Sequence, residues 1–166
     1  MPHTRIPITR VPIADEAEAD RNVESITPKR MNPITVLLAE DHQIVRAGLR
    51  SMLGGSTDFK VIGEAENGRQ AVTLAASLCP DVVVMDITMP LLDGLEATRQ
   101  ILQHAAATKV LVLTCHADSP FIEQARAVGA AGYLTKDTAM VLPDAIRAIY
   151  QGVPFFSPGH SPLKIS

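Results

Sequence analysis

The sequence predicts an α/β domain whose parallel sheet is covered by helices on both faces. From Pro33 onward, short β-branched and aliphatic runs alternate with longer helical stretches, about five times over. Each run is apolar and short, as strands buried on both faces are. Hydrophobic residues make up 46% of the chain, enough for a sizeable core. Aromatics are only 4%, so that core must be built from Val, Leu, Ile, Ala and Met.

The first strand is read at Thr35–Ala39, followed by a helix near Gln43–Leu53 in which Ile44, Ala47, Leu49 and Met52 recur at roughly helical spacing. A second strand at Phe59–Ala65 leads to a helix over Gly68–Leu78, with Asn67-Gly68 as the turn signal between them. Val82–Met85 is the third strand. Asp93-Gly94 marks the turn into the helix over Gly94–His104. Val110–Leu113 and Gly132–Leu134 are the last strands, with helices at Pro120–Val128 and Leu142–Tyr150. Parallel sheets of this kind keep their sites beyond the carboxyl ends of the strands.

The ends of the chain read differently. In residues 1–33, prolines at 2, 7, 12, 28 and 33 interrupt every candidate element, and Asp15, Glu16, Glu18, Asp20 and Glu24 form an acidic stretch. Such a segment buries too little to offset the entropy of ordering, so a disordered or weakly ordered tail is expected. It contains a small echo, Arg5-Ile6-Pro7-Ile8 and Arg10-Val11-Pro12-Ile13, and Met31 offers an alternative start of translation. Residues 34–152 are the expected domain, and 153–166 a linker-like tail.

Charge and cysteine content narrow the function. A net charge of -3 lacks the positive field that non-specific DNA binding uses, so no DNA binding is expected of this chain alone. Cys79 and Cys115 form no metal-ligand pattern and are expected to be small buried residues in a reducing cytoplasm. No apolar run approaches the ~20 residues of a membrane span, and a signal peptide's apolar stretch is missing, so a cytoplasmic protein with no membrane partner is expected.

The strand ends carry the chemistry. Glu40 and Asp41 follow the first strand, Asp86 ends the third, Thr114 ends the fourth, and Lys136 comes just after the fifth. Taken singly, each has a plain explanation: a turn or cap carboxylate, a strand-end hydroxyl, a solvated lysine. On one edge of a parallel sheet they converge. Two carboxylates ~4 Å apart repel by about 4 kcal/mol at an effective dielectric near 20, so three together need a cation. Oxygen ligands with little nitrogen or sulfur select Mg2+ over Zn2+. A carboxylate beside that metal can attack phosphorus and form an acyl phosphate. Lys136 would meet one phosphoryl oxygen as a point charge and Thr114 would donate a hydrogen bond to another.

These residues resemble the receiver domains of two-component response regulators. The resemblance runs from about Ile34 to Tyr150 and rests on several segments. They are Val36-Leu37-Leu38-Ala39-Glu40-Asp41-His42, Asp81-Val82-Val83-Val84-Met85-Asp86-Ile87-Thr88-Met89-Pro90, Asp93-Gly94-Leu95-Glu96, Val110-Leu111-Val112-Leu113-Thr114 and Gly129-Ala130-Ala131-Gly132-Tyr133-Leu134-Thr135-Lys136-Asp137. His42 with Arg46-Ala47-Gly48-Leu49, and the Gly132–Asp137 stretch, resemble the NarL/FixJ-like (LuxR-type) branch. Asp137, rather than Pro, follows Lys136, so no Pro-type cis bond is expected there.

The resemblance implies a flavodoxin-like, doubly wound, five-stranded parallel sheet in the order 2-1-3-4-5. It implies that Asp86 accepts phosphoryl from a histidine kinase and that the chain is no turnover enzyme. Asp41 and Asp86 would bind Mg2+ directly with the backbone carbonyl of Thr88, and Glu40 would act through water. Thr114 and Tyr133 look like the switch pair: the hydroxyl moves toward the phosphoryl group and the ring turns inward behind it. That reshapes the face of the fourth helix, fifth strand and fifth helix. This face, or the first and fifth helices, would support a homodimer. Thr88 and His116 occupy places that in this family tune hydrolysis of the phosphoryl group, although an exposed loop histidine is the plain expectation for His116.

The NarL/FixJ-like branch usually carries a helix-turn-helix output domain. The fourteen residues after Gly152 include Pro154, Pro158, Gly159 and Pro162 and are too few to form one, while Phe155-Phe156-Ser157-Pro158 looks like the start of the usual linker. The alternative is a stand-alone receiver, an interaction module or phosphate sink. A haloacid-dehalogenase-type phosphatase is disfavoured because its motif needs a second Asp where Thr88 stands. A degenerate receiver is disfavoured by the complete acidic set and Lys136.

Overall fold

Alternation along the buried strands sorts the core into two layers. The computed structural model describes residues 32–157. Its elements are β1 (Ile34–Ala39), α1 (Gln43–Gly54), β2 (Phe59–Ala65), α2 (Gly68–Leu78), β3 (Val82–Met85), α3 (Gly94–His104), β4 (Lys109–Thr114), α4 (Ser119–Ala127), β5 (Gly132–Thr135), a 3-10 segment (Lys136–Val141), α5 (Leu142–Tyr150) and β6 (Phe155–Phe156). Every pairing is parallel, in the order β2-β1-β3-β4-β5-β6. The five expected strands keep their expected order, and a sixth is added beyond β5.

Strand residues of one parity, such as Val36, Leu38, Val84, Leu111 and Leu134, pack with Leu49 and Leu53 of α1 and with Leu142, Ile146 and Ile149 of α5. Those of the other parity, such as Leu37, Ala39, Val83 and Met85, pack with Ala71 and Ala75 of α2 and Ala97 and Ile101 of α3. Val112 and Tyr133 meet Ala125 of α4. The period of two thus puts two helices on one face and three on the other. At the lower edge, Thr35 N–H and Oγ1 both donate to Asp81 Oδ2 at 2.9 Å, tying β1 to β3 in register.

Both Gly-containing turns are helix starts. Asn67 accepts from the Gln70 amide and caps α2, while Asp93 Oδ1 accepts from the amides of Leu95 and Glu96 and caps α3. Gly94 is required by close approach: a Cβ there would lie 1.8 Å from the Asp86 carbonyl oxygen. The absent side chain lets α3 begin directly against the end of β3.

The structure adds to or departs from the sequence expectations at several points. The spacing of Ile44, Ala47, Leu49 and Met52 signals a helix but is not its inner face. Ile44 is 88% exposed and Met52 is exposed, and the buried stripe runs through Leu49 and Leu53, with Val45 packed against it. Cys79 and Cys115 are exposed, not buried: Cys79 closes α2 in the left-handed region at φ 48°, and Cys115 lies in the loop after β4. Phe155 and Phe156, read as the opening of a linker, pair with Gly132 and Tyr133 of β5. The stretch after Lys136 forms 3-10 turns before α5. No cis peptide occurs among the described residues, as expected at Lys136–Asp137. Among them, no helix is long and apolar enough to cross a membrane. The tail over 1–31, its echo and Met31, and residues 158–166, lie outside the described residues.

Candidate functional site

The strand order reverses between β1 and β3, the position where doubly wound sheets open a crevice above their carboxyl ends. Ala39 is level with Met85 across that pair, so Glu40 and Asp86 emerge side by side. Their backbones are fixed: the Asp86 amide donates to the Ala39 carbonyl at 2.9 Å and the Glu40 amide to the Ala65 carbonyl at 3.0 Å. Both side chains are buried, Glu40 at 2% and Asp86 at 4% exposure.

Lys136 reaches in from the end of β5. Its Nζ lies 2.7 Å from Glu40 Oε2 and 3.3 Å from Asp86 Oδ2, so two buried carboxylates share one ammonium. Burial pushes the Asp86 pKa up and the Glu40 charge pushes it further; Lys136 and the Thr88 amide pull the other way without restoring the ordinary value. For Lys136, burial opposes the charge, but the hydrogen bond to Glu40 and the two carboxylate charges outweigh it and raise its pKa.

Asp41 sits beside this pair. Its Oδ1 is buried and has no hydrogen-bond partner, although His42 Nδ1 lies 3.2 Å away out of bonding alignment. A buried carboxylate oxygen without a hydrogen bond is costly, and a bound cation would offset that cost. Ligand atoms of Glu40, Asp41 and His42 lie within 4.8 Å of one another. Asp86 stands outside that group and is joined to it through Lys136. The carboxylates and the orphaned oxygen fit a hard divalent ion such as Mg2+.

Two supporting residues, His42 and Arg46, entered the sequence analysis only as marks of the NarL/FixJ-like branch, with no role at the site. His42 donates its amide to Glu40 Oε1 at 3.1 Å, with its ring Nδ1 3.2 Å from the same oxygen. Arg46 is buried; Nη1 donates to the Glu40 carbonyl at 2.7 Å, and its guanidinium also meets Glu64 and Glu66. The available signal was an arginine between the inward positions Val45 and Leu49.

The β4–β5 half of the edge is organised around His116. The His116 amide donates to Thr114 Oγ1 at 3.3 Å, and its carbonyl accepts from Tyr133 Oη. Tyr133 is fully buried, so its ring is turned inward, and burial with the Asp118 charge pushes its pKa up to about 12. The His116 ring stacks on Phe121 at 4.4 Å between centroids, and its Nε2 lies 3.2 Å from Thr88 Oγ1. His116 is therefore half-buried and engaged, not a free loop histidine. Glu40, Asp86 and Lys136 thus meet directly with Asp41 alongside, while Thr88, Thr114 and Tyr133 are joined through His116.

The chain is similar to known proteins over most of its described residues. Residues 36–147 match the family model for the response regulator receiver domain. The chain is 44% identical over 120 residues to the response regulator UvrY of Escherichia coli strain K12, covering 72% of this chain and 55% of UvrY. It is 43% identical over 122 residues to the transcriptional regulatory protein LiaR of Bacillus subtilis strain 168, covering 73% and 58%. The chain therefore spans little more than half the length of these curated relatives. The crystal structure of a LuxR-family two-component response regulator from Aurantimonas sp. SI85-9A1 superposes with a TM-score of 0.73 at 38% identity, over 76% of this chain and 91% of that one. The signal receiver domain of NarL from Mycobacterium tuberculosis gives 0.71 at 30% identity, over 74% and 99%. An acidic pocket at the switch point of a 2-1-3-4-5 sheet, matched along most of its length by these relatives, places the chain in the response regulator receiver domain family, on its NarL/FixJ-like branch.

Proposed function

We propose that Asp86 accepts a phosphoryl group from a histidine kinase and that the new charge changes the α4–β5–α5 face to control an output, transcription in a longer regulator. The receiver unit we assign is residues 34–152, with β6 attached to it. The observation that carries the proposal is one ammonium shared by buried Glu40 and Asp86 beside an orphaned Asp41 oxygen.

Asp41, Asp86 and the Thr88 carbonyl would hold Mg2+ directly, with Glu40 acting through water. When bound, the ion supplies neutralising charge for the carboxylates and for incoming phosphoryl oxygens. An Asp86 carboxylate oxygen bonds to phosphorus as the bond to the donor's imidazole nitrogen breaks, giving a mixed anhydride. Lys136, already 3.3 Å from Asp86 Oδ2, pairs with a phosphoryl oxygen, and Thr114 turns its hydroxyl toward another. With Thr114 drawn to the site, the inward Tyr133 ring is favoured behind it. The chemistry is one transfer per molecule, set up in the cytoplasm by a kinase partner.

Incubation with a small phosphodonor and Mg2+, followed by peptide mapping, tests this. The wild-type chain should gain one phosphoryl group on Asp86, and Asp86→Asn should gain none. Labelling of another residue, or repeated turnover of the donor with no labelled protein, would contradict the assignment.

A further inference from the structure

We infer that β6, the strand by which the chain leaves the sheet, docks as a reporter of the Tyr133 position, so that the state of the phosphoryl site reaches whatever follows through main-chain pairing. The inference rests on the reading of Tyr133 as a switch residue. Four observations carry it.

Phe156 is in register with Tyr133 itself. The Ser157 amide donates to the Tyr133 carbonyl at 2.9 Å, and the Phe155 amide donates to the Ala131 carbonyl at 3.1 Å. Next, β5 is adapted to this neighbour: a Cβ at Gly132 would lie 2.7 Å from the Phe155 carbonyl oxygen and 2.5 Å from Leu111 Cδ1. Third, α4 holds the strand from above, with the Arg126 guanidinium carbon 3.9 Å from the centre of the Phe156 ring. Last, Phe156 packs against the cluster of Ile87, Val112, Ala125, Ala130 and Tyr133. That cluster begins one residue after Asp86, and Phe121, the ring on which His116 stacks, packs against it as well.

The physical consequence follows from close packing. A ring that leaves this cluster cannot leave a void at no cost, so outward movement of Tyr133 removes support from Phe156. A two-residue strand whose side chains are half-buried has little stability of its own and is the element most easily released. Coupling is reciprocal: whatever holds Tyr133 inward tightens β6, and whatever loosens β6 weakens the inward state.

Hydrogen exchange at the Phe155 and Ser157 amides of the full chain, with and without beryllofluoride and Mg2+, is the test. In the wild type, exchange there should slow roughly tenfold on beryllofluoride addition, a coupling of ordinary allosteric size. Arg126→Gln and Phe156→Ala leave the acidic pocket intact; both should exchange quickly in either state and bind beryllofluoride more weakly. Arg126 is exposed, so its variant keeps the test valid if Phe156→Ala folds poorly. If exchange of the His116 amide, which donates to Thr114 Oγ1, changes while Phe155 and Ser157 do not, β6 is independent of the switch and the inference is wrong with the site reading intact. If the His116 amide does not respond either, the phosphoryl-site reading fails and takes the coupling with it.

Discussion

The two halves of the sheet's carboxyl edge are built on opposite terms. Over β1 and β3, Glu40 and Asp86 are buried with one shared cation, Asp41 Oδ1 has no hydrogen-bond partner, and Asp86 resists ionisation. Over β4 and β5, the Thr114 and Tyr133 hydroxyls each find a partner in the His116 backbone, and the His116 ring is stacked. The first half is held in a condition that an added cation would relieve. The second half is satisfied as it stands and changes only by repacking. Under the proposed function, the first would be the charge-sensing half and the second the responding half, and the two are in contact at Thr88 and His116.

Removing the floor of the charged half should have the largest effect. Gly94→Ala drives a methyl group into the Asp86 carbonyl, with no flexible side chain to yield. We expect a loss of about 4 kcal/mol or more in urea unfolding, with little folded protein recovered. Lys136→Met comes next. It leaves two buried carboxylates without their cation and should cost about 2 kcal/mol without metal, less than for a fully buried pair because Lys136 keeps some solvent contact. Added Mg2+ should restore part of that loss, as read by thermal melts with and without chelator.

Asp86→Asn should act in the opposite direction. The folded-state pKa of Asp86 is raised above 3.8, so the folded chain holds this proton longer than the unfolded chain does. Metal-free wild-type protein should therefore lose stability as pH rises from 3.8 through the raised value, and the Asn variant should lack this fall. Above that window the variant should be the more stable of the two. Melts across the acid range in chelator measure both.

In the responding half, Tyr133→Phe keeps the ring and removes the bond to the His116 carbonyl; a cost of about 1 kcal/mol is expected in chemical denaturation. The smallest effect belongs to Ile44→Ser at the rim of the charged half, within about 0.5 kcal/mol, because the side chain is almost fully exposed.

Most of the fold was legible because apolar runs and helical spacing depend on local sequence, and strand ends on one edge follow from a parallel sheet. That logic gathered Glu40, Asp86 and Lys136 from positions 46 and 50 residues apart, as the salt bridges show. The rest depended on packing that periodicity does not encode. In α1, Ile44 and Met52 match helical spacing as well as Leu49 and Leu53 do, and only the buried Arg46, drawn to the Glu40 carbonyl, marks which way the helix is turned. Phe155-Phe156 is too short to show alternation, and its partner signal is the missing Cβ of Gly132, many residues earlier. His116 looked free because its partners, Phe121, Thr88 and Tyr133, come from three other elements or loops.

The central claim is that the unanswered oxygen of Asp41 and the reluctant charge of Asp86 await one divalent ion and one phosphoryl group. Crystals grown with Mg2+ and beryllofluoride examine this directly. The account predicts a single cation touching Asp41 Oδ1 and Asp86, with beryllofluoride on the Asp86 carboxylate and Lys136 and Thr114 turned to its fluorines. A cation bound elsewhere, or beryllofluoride absent from Asp86 at saturating concentration, would contradict it.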